Sequence, residues 1–337
     1  MKNPLRHFRH LAAAAAFVSL LTVHSSLLAA GGGAIDTRGI PVDAQGIIYA
    51  DYAQGTKSVF FTALWRQTGQ KDYEGFKTQY GFDPVTDIST VIIGLAKPAY
   101  ASAPLALFGV IRGKFSPEKI VTGAKQDNAR VTTEGKYTVI DDVIRGIPNQ
   151  PSEKMTLCII DSSTLLFAQT KADLAKIIAA YTGQAKSYAA PDAFDKLRKR
   201  TETPLILGYL GHDITPDASD NGMMTIPKSD SIYFSLAEDR RNLLARVCLD
   251  FASPDDARQL QGAVQMFTGL MQLGGAAAIF GGSGSQAAQA QMLQKLLSAL
   301  QVNLNGNTLD MSFSLPVTDI LQAMQTYFEL SKTAVGN

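Results

Sequence analysis

The chain has 337 residues, 46% of them hydrophobic and 18% charged, with two cysteines and a formal net charge of +1. This balance excludes a disordered chain, a disulfide-stapled mini-scaffold and a collagen-like repeat, and it lacks the global basic bias of nucleic-acid binders. The length fits about two domains, each large enough to bury a core.

Residues 1–30 read as a secretory signal. Lys2, Arg6 and Arg9 precede an apolar run from Leu11 to Val23, and small residues follow at Ala29 and Ala30. The run is too short to span a bilayer of ~30 Å. No cysteine lies near the cleavage region, so a lipid-modified cysteine is not expected. The mature chain is expected to be exported, to the periplasm or beyond the cell, with no transmembrane segment. Removing residues 1–30 takes three of the 31 basic residues and no acidic one, leaving 28 against 30 and a net charge of −2. It also takes His7, His10 and His24, so His212 becomes the sole histidine.

Residues 31–40 are glycine-rich and predict a flexible leader. A first unit is expected over 41–187. Its strands are predicted at Ile47–Tyr52, Val91–Leu95, Leu105–Arg112, Tyr137–Ile140, Met155–Asp161 and Leu165–Gln169, and its helices at 54–68, 72–80, after Phe115, and at Ala172–Tyr181. Ser116-Pro117-Glu118 supplies an N-cap, a proline at the first helical position and an early acid. Residues 188–203 read as a linker helix in which Phe194 and Leu197 point inward. Its basic run Lys196, Arg198, Lys199 and Arg200 is read as a solvated face rather than a nucleic-acid patch.

A second unit is expected over 204–331, with strands at Leu205–Leu210, Ser231–Leu236, Leu243–Phe251, Leu300–Leu304 and Thr308–Leu315. In the third of these, Leu243, Ala245, Val247, Leu249 and Phe251 alternate with Leu244, Arg246, Cys248 and Asp250. Asn305-Gly306-Asn307 marks a hairpin, and a last helix starts at Val317. The strand ends Phe115-Ser116-Pro117-Glu118 and Phe251-Ala252-Ser253-Pro254-Asp255 echo one another, and Phe313-Ser314-Leu315-Pro316 repeats the layout. The fold class is therefore α+β: antiparallel sheets built from β-hairpin-plus-helix units, in two similar halves.

Gly81-Phe82-Asp83-Pro84-Val85-Thr86-Asp87-Ile88, followed by a strand and then Arg112-Gly113-Lys114-Phe115, resembles uncharacterised exported bacterial proteins with a G-x-D-P-x-x-D-I … R-G-x-F arrangement. The resemblance covers about residues 45–185, extends to the second unit only in layout, and implies no activity. Physically, Asp83-Pro84 reads as a turn, with Asp87 opening the next strand or bonding the turn's amides.

Chemistry-bearing motifs are scarce. Cys158, Cys248 and His212 do not have the spacing of zinc ligands, and no P-loop or strand-linked G-x-G-x-x-G occurs. No cofactor is expected. The Asp213–Gly222 stretch lacks the downstream glutamate of a calcium loop. Ser116 and Lys119 match S-x-x-K without the partner motifs of serine enzymes, and the N-cap explains them. Asp141–Asp142 and Asp255–Asp256 are adjacent acids suited to turns and helix starts. Cys158 and Cys248 are expected either as a disulfide or as two free thiols.

The most unusual segment is 259–294, which carries no charged residue over 36 positions. Gln259, Gln261, Gln265 and Gln272 argue against a membrane span. Two readings stand: a pair of core helices joined by the flexible Gly281–Ser285 turn, or a candidate apolar binding surface made by Phe267, Leu270, Met271, Ile279, Phe280 and Met292. On the second reading the partner is a lipid, a peptide or an envelope protein. The expected function is thus an exported, non-catalytic binding, scaffolding or envelope-associated role. The alternative is a hydrolase with a site near His212 or a carboxylate pair.

Overall fold

A computed structural model describes residues 35–68, 70–97, 105–145, 153–189, 194, 204–212, 227–239, 241–270, 295 and 297–322. The signal segment, the basic run of the linker and the Asp213–Gly222 stretch lie outside the described residues. The fold is α+β with antiparallel strand pairing, and the chain divides into two compact units. The first comprises residues 1–196 and 205–214, and the second residues 197–204 and 215–337.

Unit 1 contains β1 (Gly46–Asp51), β2 (Ile88–Ala96), β3 (Ala106–Gly113), β4 (Arg130–Glu134), β5 (Tyr137–Arg145), β6 (Glu153–Asp161), β7 (Thr164–Ala168) and β8 (Pro204–Gly211). Their order across the sheet is β8-β1-β2-β3-β7-β6-β5-β4, with every pairing antiparallel. The helices are α1 (Tyr52–Gly55), α2 (Val59–Thr68), α3 (Gln70–Tyr80), α4 (Pro117–Gln126) and α5 (Lys171–Tyr181).

The register lines up one row of side chains across all eight strands: Leu207, Tyr49, Ile92, Val110, Leu166, Cys158, Val139 and Thr132. The adjoining row on the opposite face runs through Ile48, Ile93, Gly109, Phe167, Leu157 and Ile140. Both rows are largely buried. A sheet covered on both faces carries near-continuous apolar strands rather than alternating ones. Val91–Leu95 is such a run, buried at every position.

Two features of unit 1 differ from expectation. Residues 35–40, read as the second half of a flexible leader, are packed: Ile40 is fully buried, Tyr188 N–H donates to its carbonyl at 2.7 Å, and Arg112 pairs with Asp36 at 3.0 Å. The strand at 204–211, read as the opening of the second unit, instead pairs with β1. A strand's partner is a non-local property that its own sequence does not encode, and here the partner lies about 160 residues upstream.

Unit 2 contains β9 (Ser231–Asp239), β10 (Asn242–Asp250), α6 (Pro254–Leu270), β11 (Gln301–Asn305) and β12 (Thr308–Pro316), and residues 317–322 begin a further helix. Its strands pair as β11-β12-β10-β9. The alternation in β10 is reproduced in the register. Leu249 faces Leu309 on the side where α6 packs, whereas Arg246 faces Ser312 and Ser235 on the other. Arg246 Nε donates to Asp310 Oδ1 at 2.8 Å, which holds the polar face together.

With eight strands in unit 1 and four in unit 2 among the described residues, the expected likeness of two halves is confined to the strand-to-helix junctions. There it is specific. The N–H leaving each strand donates to the turn of a neighbouring hairpin: Phe115 to Ser162 at 2.7 Å, Phe251 to Asn307 at 3.0 Å and Val317 to Arg241 at 2.8 Å.

Candidate functional site

The predicted apolar surface falls largely outside what the structure describes. Met271, Ile279, Phe280 and Met292 lie outside the described residues, and Phe267 and Leu270 are placed only as backbone at the end of α6. What precedes them is clear. Ser253 Oγ accepts the Asp256 N–H at 3.2 Å and donates to Asp256 Oδ2 at 2.8 Å, a reciprocal cap that starts α6. Ala257 and Leu260 then join Phe251 and Leu309 in the unit 2 core, with Ala263 and Val264 against them. Met266, on the next turn, is 53% exposed. The core reading therefore holds for the first part of the uncharged segment, and the helix begins to present apolar surface outward at Met266. Among the described residues no helix is long and apolar enough to cross a membrane.

The Gly81–Ile88 motif is a structural joint. Asp83 is buried, and its Oδ1 accepts the N–H groups of Val85 at 2.7 Å and Thr86 at 3.1 Å. Its Oδ2 pairs with Lys77 at 3.2 Å, and its own N–H donates to Asp87 Oδ2 at 2.7 Å. The second half of the motif closes on the first: Lys114 N–H donates to the Asp87 carbonyl at 2.6 Å, and the Phe82 and Phe115 rings meet edge to face at 5.4 Å. Gly113 is required by close approach, since a Cβ there would stand 2.1 Å from the Asp87 carbonyl oxygen. Both aspartates are occupied by the turn they build.

Asp255, Asp256 and Ser116 belong to helix starts. His212 is exposed just beyond β8. Asp256 belongs to the α6 cap, and Asp255 pairs with Arg258. Ser116 occupies the N-cap position of α4, but its hydroxyl makes no cap bond; Pro117 and Glu118 carry that helix start.

Asp141 is different. Between Ile140–Leu157 and Val143–Met155 the β5/β6 register slips, so Asp141 and Asp142 stand opposite Thr156 alone. This is a β-bulge, a device that re-aims side chains and recurs beside binding sites. The Asp141 side chain is only 9% exposed; its Oδ2 pairs with Lys171 at 2.7 Å, and its Oδ1 is buried without a hydrogen-bond partner among the described residues. Around it lies a cavity of about 280 Å³ lined by Arg130, Asp141, Met155, Thr156, Gln169, Thr170 and Lys171. Arg130 is the cross-strand partner of Asp141, and Thr170 caps α5 through the Asp173 N–H at 3.1 Å. Gln169 is fixed by accepting the Leu107 N–H at 3.0 Å. The groove of about 750 Å³ between α3 and α4, lined by Glu74, Thr78, Glu118 and Lys119 among others, is larger. Its walls are the exposed surfaces of two helices, and no buried unpartnered group lines it among the described residues.

No protein-family profile matches the chain, and no curated protein sequence does. The chain is similar in structure to TP0453. Against crystal form III of that protein the TM-score is 0.50 at 13% identity, covering 86% of this chain and 98% of that one. Against crystal form I it is 0.47 at 10% identity, covering 87% and 97%. At this identity the likeness concerns the fold alone. Among the described residues no three His, Cys, Asp or Glu side chains gather as a metal site.

In the sequence Asp141–Asp142 is a pair of acids suited to a turn or a helix start, and nothing there joins Asp141 to Arg130, Thr170 or Lys171. Lys171 opens a helix that follows β7, whereas Arg130 sits on β4, and only the folded sheet brings them together.

The two cysteines are free thiols. Burial, with the Glu134 carboxylate adding to it, pushes the Cys158 thiol from 9.0 up to about 12. A pKa raised by folding stabilises unit 1 fully below pH 9, and that contribution is lost as the pH climbs through about 12. In native protein at pH 8 a thiol reagent should therefore modify Cys248, which is half-buried, and spare Cys158; both should react after unfolding. Fast modification of both thiols in the native state would show that the β6 face is open.

Proposed function

We propose that this chain is an exported, non-catalytic binding protein whose partner is apolar: a lipid, a peptide or the surface of an envelope protein. The signal-like order of residues 1–30 supports the export half of this reading. The binding half is carried by α6. Its inward stripe is used up by Ala257 and Leu260 in the core, yet the helix runs on past an exposed Met266 to Leu270, and the sequence carries no charge up to residue 294. Flexible methionine-rich apolar surface suits partners of irregular shape.

Deleting residues 274–288 tests this directly. Native mass spectrometry of the intact chain recovered from its own envelope should show a retained lipid or peptide, and the deletion variant should lose it. A retained molecule unaffected by the deletion, or none in the intact chain, would overturn the reading.

A further inference from the structure

We infer that the cavity beside Asp141 is a binding site for a small zwitterionic solute of the amino-acid class, separate from the apolar surface of unit 2. The ligand's ammonium group would lie against the Asp141 carboxylate, and its carboxylate would lie between Arg130 and the start of α5.

Four observations lead there. First, size: about 280 Å³ falls just below the range typical of drug-sized ligands, which suits a solute on the order of ten non-hydrogen atoms. Second, Asp141 Oδ1 is a buried carboxylate oxygen without a hydrogen-bond donor among the described residues, on a side chain that lines the cavity and is only 9% exposed. A buried acceptor left unmatched is costly, so a ligand that brings a donor is favoured. Third, the opposite requirement sits beside it. Arg130 offers a guanidinium suited to paired bonds with a carboxylate, and α5 starts at Lys171 with Thr170 as its cap. The first N–H groups of a helix point out of its start and favour an anion there. Fourth, both signs of charge meet here: Lys171 lies 2.7 Å from Asp141 and 3.9 Å from Glu134, Arg130 lines the same cavity, and the Thr170 hydroxyl donates to Asp173 at 2.7 Å. A ligand carrying both an ammonium and a carboxylate can meet both signs at once.

The bulge in β5 fits this use. Asp141 keeps its regular pairing with Arg130 and so shares a face with Val139, and the bulge breaks the ladder beside it, opposite Thr156. A regular β5 would lack the extra residue.

Isothermal titration of the intact chain with each standard amino acid, one at a time, tests the site. At least one should bind saturably with a dissociation constant at or below ~1 mM. For that amino acid, its decarboxylated amine and its deaminated acid should each bind at least about tenfold more weakly. Arg130→Ala removes an exposed side chain and should keep the melting temperature while weakening binding by about tenfold or more. Asp141→Asn should weaken it further, and Arg130→Ala keeps the test decisive if that variant folds poorly. No saturable binding by any amino acid at ~10 mM overturns the proposal, as does unchanged affinity in Arg130→Ala. Equal binding of the acid alone identifies an anion site, equal binding of the amine a cation site, and either result also overturns it.

Discussion

Phe251→Ala is expected to lower the stability of unit 2 by about 3–5 kcal/mol. Phe251 is 1% exposed and is the largest side chain of the cluster that joins α6 to the sheet, with Ala257, Leu260 and Leu309. Removing its ring takes away apolar burial and leaves a cavity whose cost depends on how far the walls collapse. Collapse is hindered here, because the backbone at the junction is held twice. Phe251 N–H donates to the Asn307 carbonyl at 3.0 Å, and Asn307 Nδ2 donates to the Phe251 carbonyl at 2.6 Å. These bonds keep the end of β10 in place, and the Ser253–Asp256 cap keeps the start of α6 in place, so neither wall can move in. Urea denaturation gives the loss, and hydrogen exchange at the amides of β9, β10 and β12 shows that it falls in unit 2. A loss below about 1 kcal/mol would mean that this cluster does not secure α6.

The same residue shows what the sequence revealed and what it withheld. Phe251 was expected as the last inward position of an alternating strand followed by a capped helix, and the structure places it one residue past β10 in the core beneath α6. Alternation and caps are local, and they were legible. β4 was not. Its sequence Arg130-Val131-Thr132-Thr133-Glu134 has a single aliphatic residue, because a strand at the end of a sheet needs little apolar surface. Its β-branched run before Gly135 was the one signal available.

The site was hidden for a further reason. Asp141–Asp142 is a pair of acids that turns commonly use, and nothing in the two residues distinguishes a turn from a bulge. The distinction lies in the count of residues between Ile140–Leu157 and Val143–Met155, which exists only once β5 and β6 are paired. The burial of Asp141 depends in turn on Lys171, thirty residues on, reaching back from α5.

Gly109→Ala in β3 is expected to cost unit 1 about 3 kcal/mol or more, at or beyond the upper end of ordinary overpacking. Glycine within a strand marks close approach by another group, and at Gly109 there are two. A Cβ would stand 2.1 Å from the Ile92 carbonyl oxygen and 2.7 Å from the Phe167 ring. The carbonyl belongs to β2, which pairs with β3 from Ile88 to Ala96 and cannot rotate aside without opening that ladder. The ring is buried in a row that runs through Ile93 and Leu157, on a sheet covered on both faces, so it has no solvent side to turn to. The strain should pass along β3 and β7 to the Asp141 cavity, because Gln169, one of its walls, is fixed by bonds in both directions with Leu107. Denaturation should therefore show the loss in unit 1, with exchange accelerated in β2, β3 and β7 and unchanged in β10 and β12. If the melting curve of Gly109→Ala overlies that of the parent chain, the close packing of β2 against β3 is wrong. The position of Thr170 and Lys171 beside Asp141, which rests on the same ladder, would then have to be drawn again.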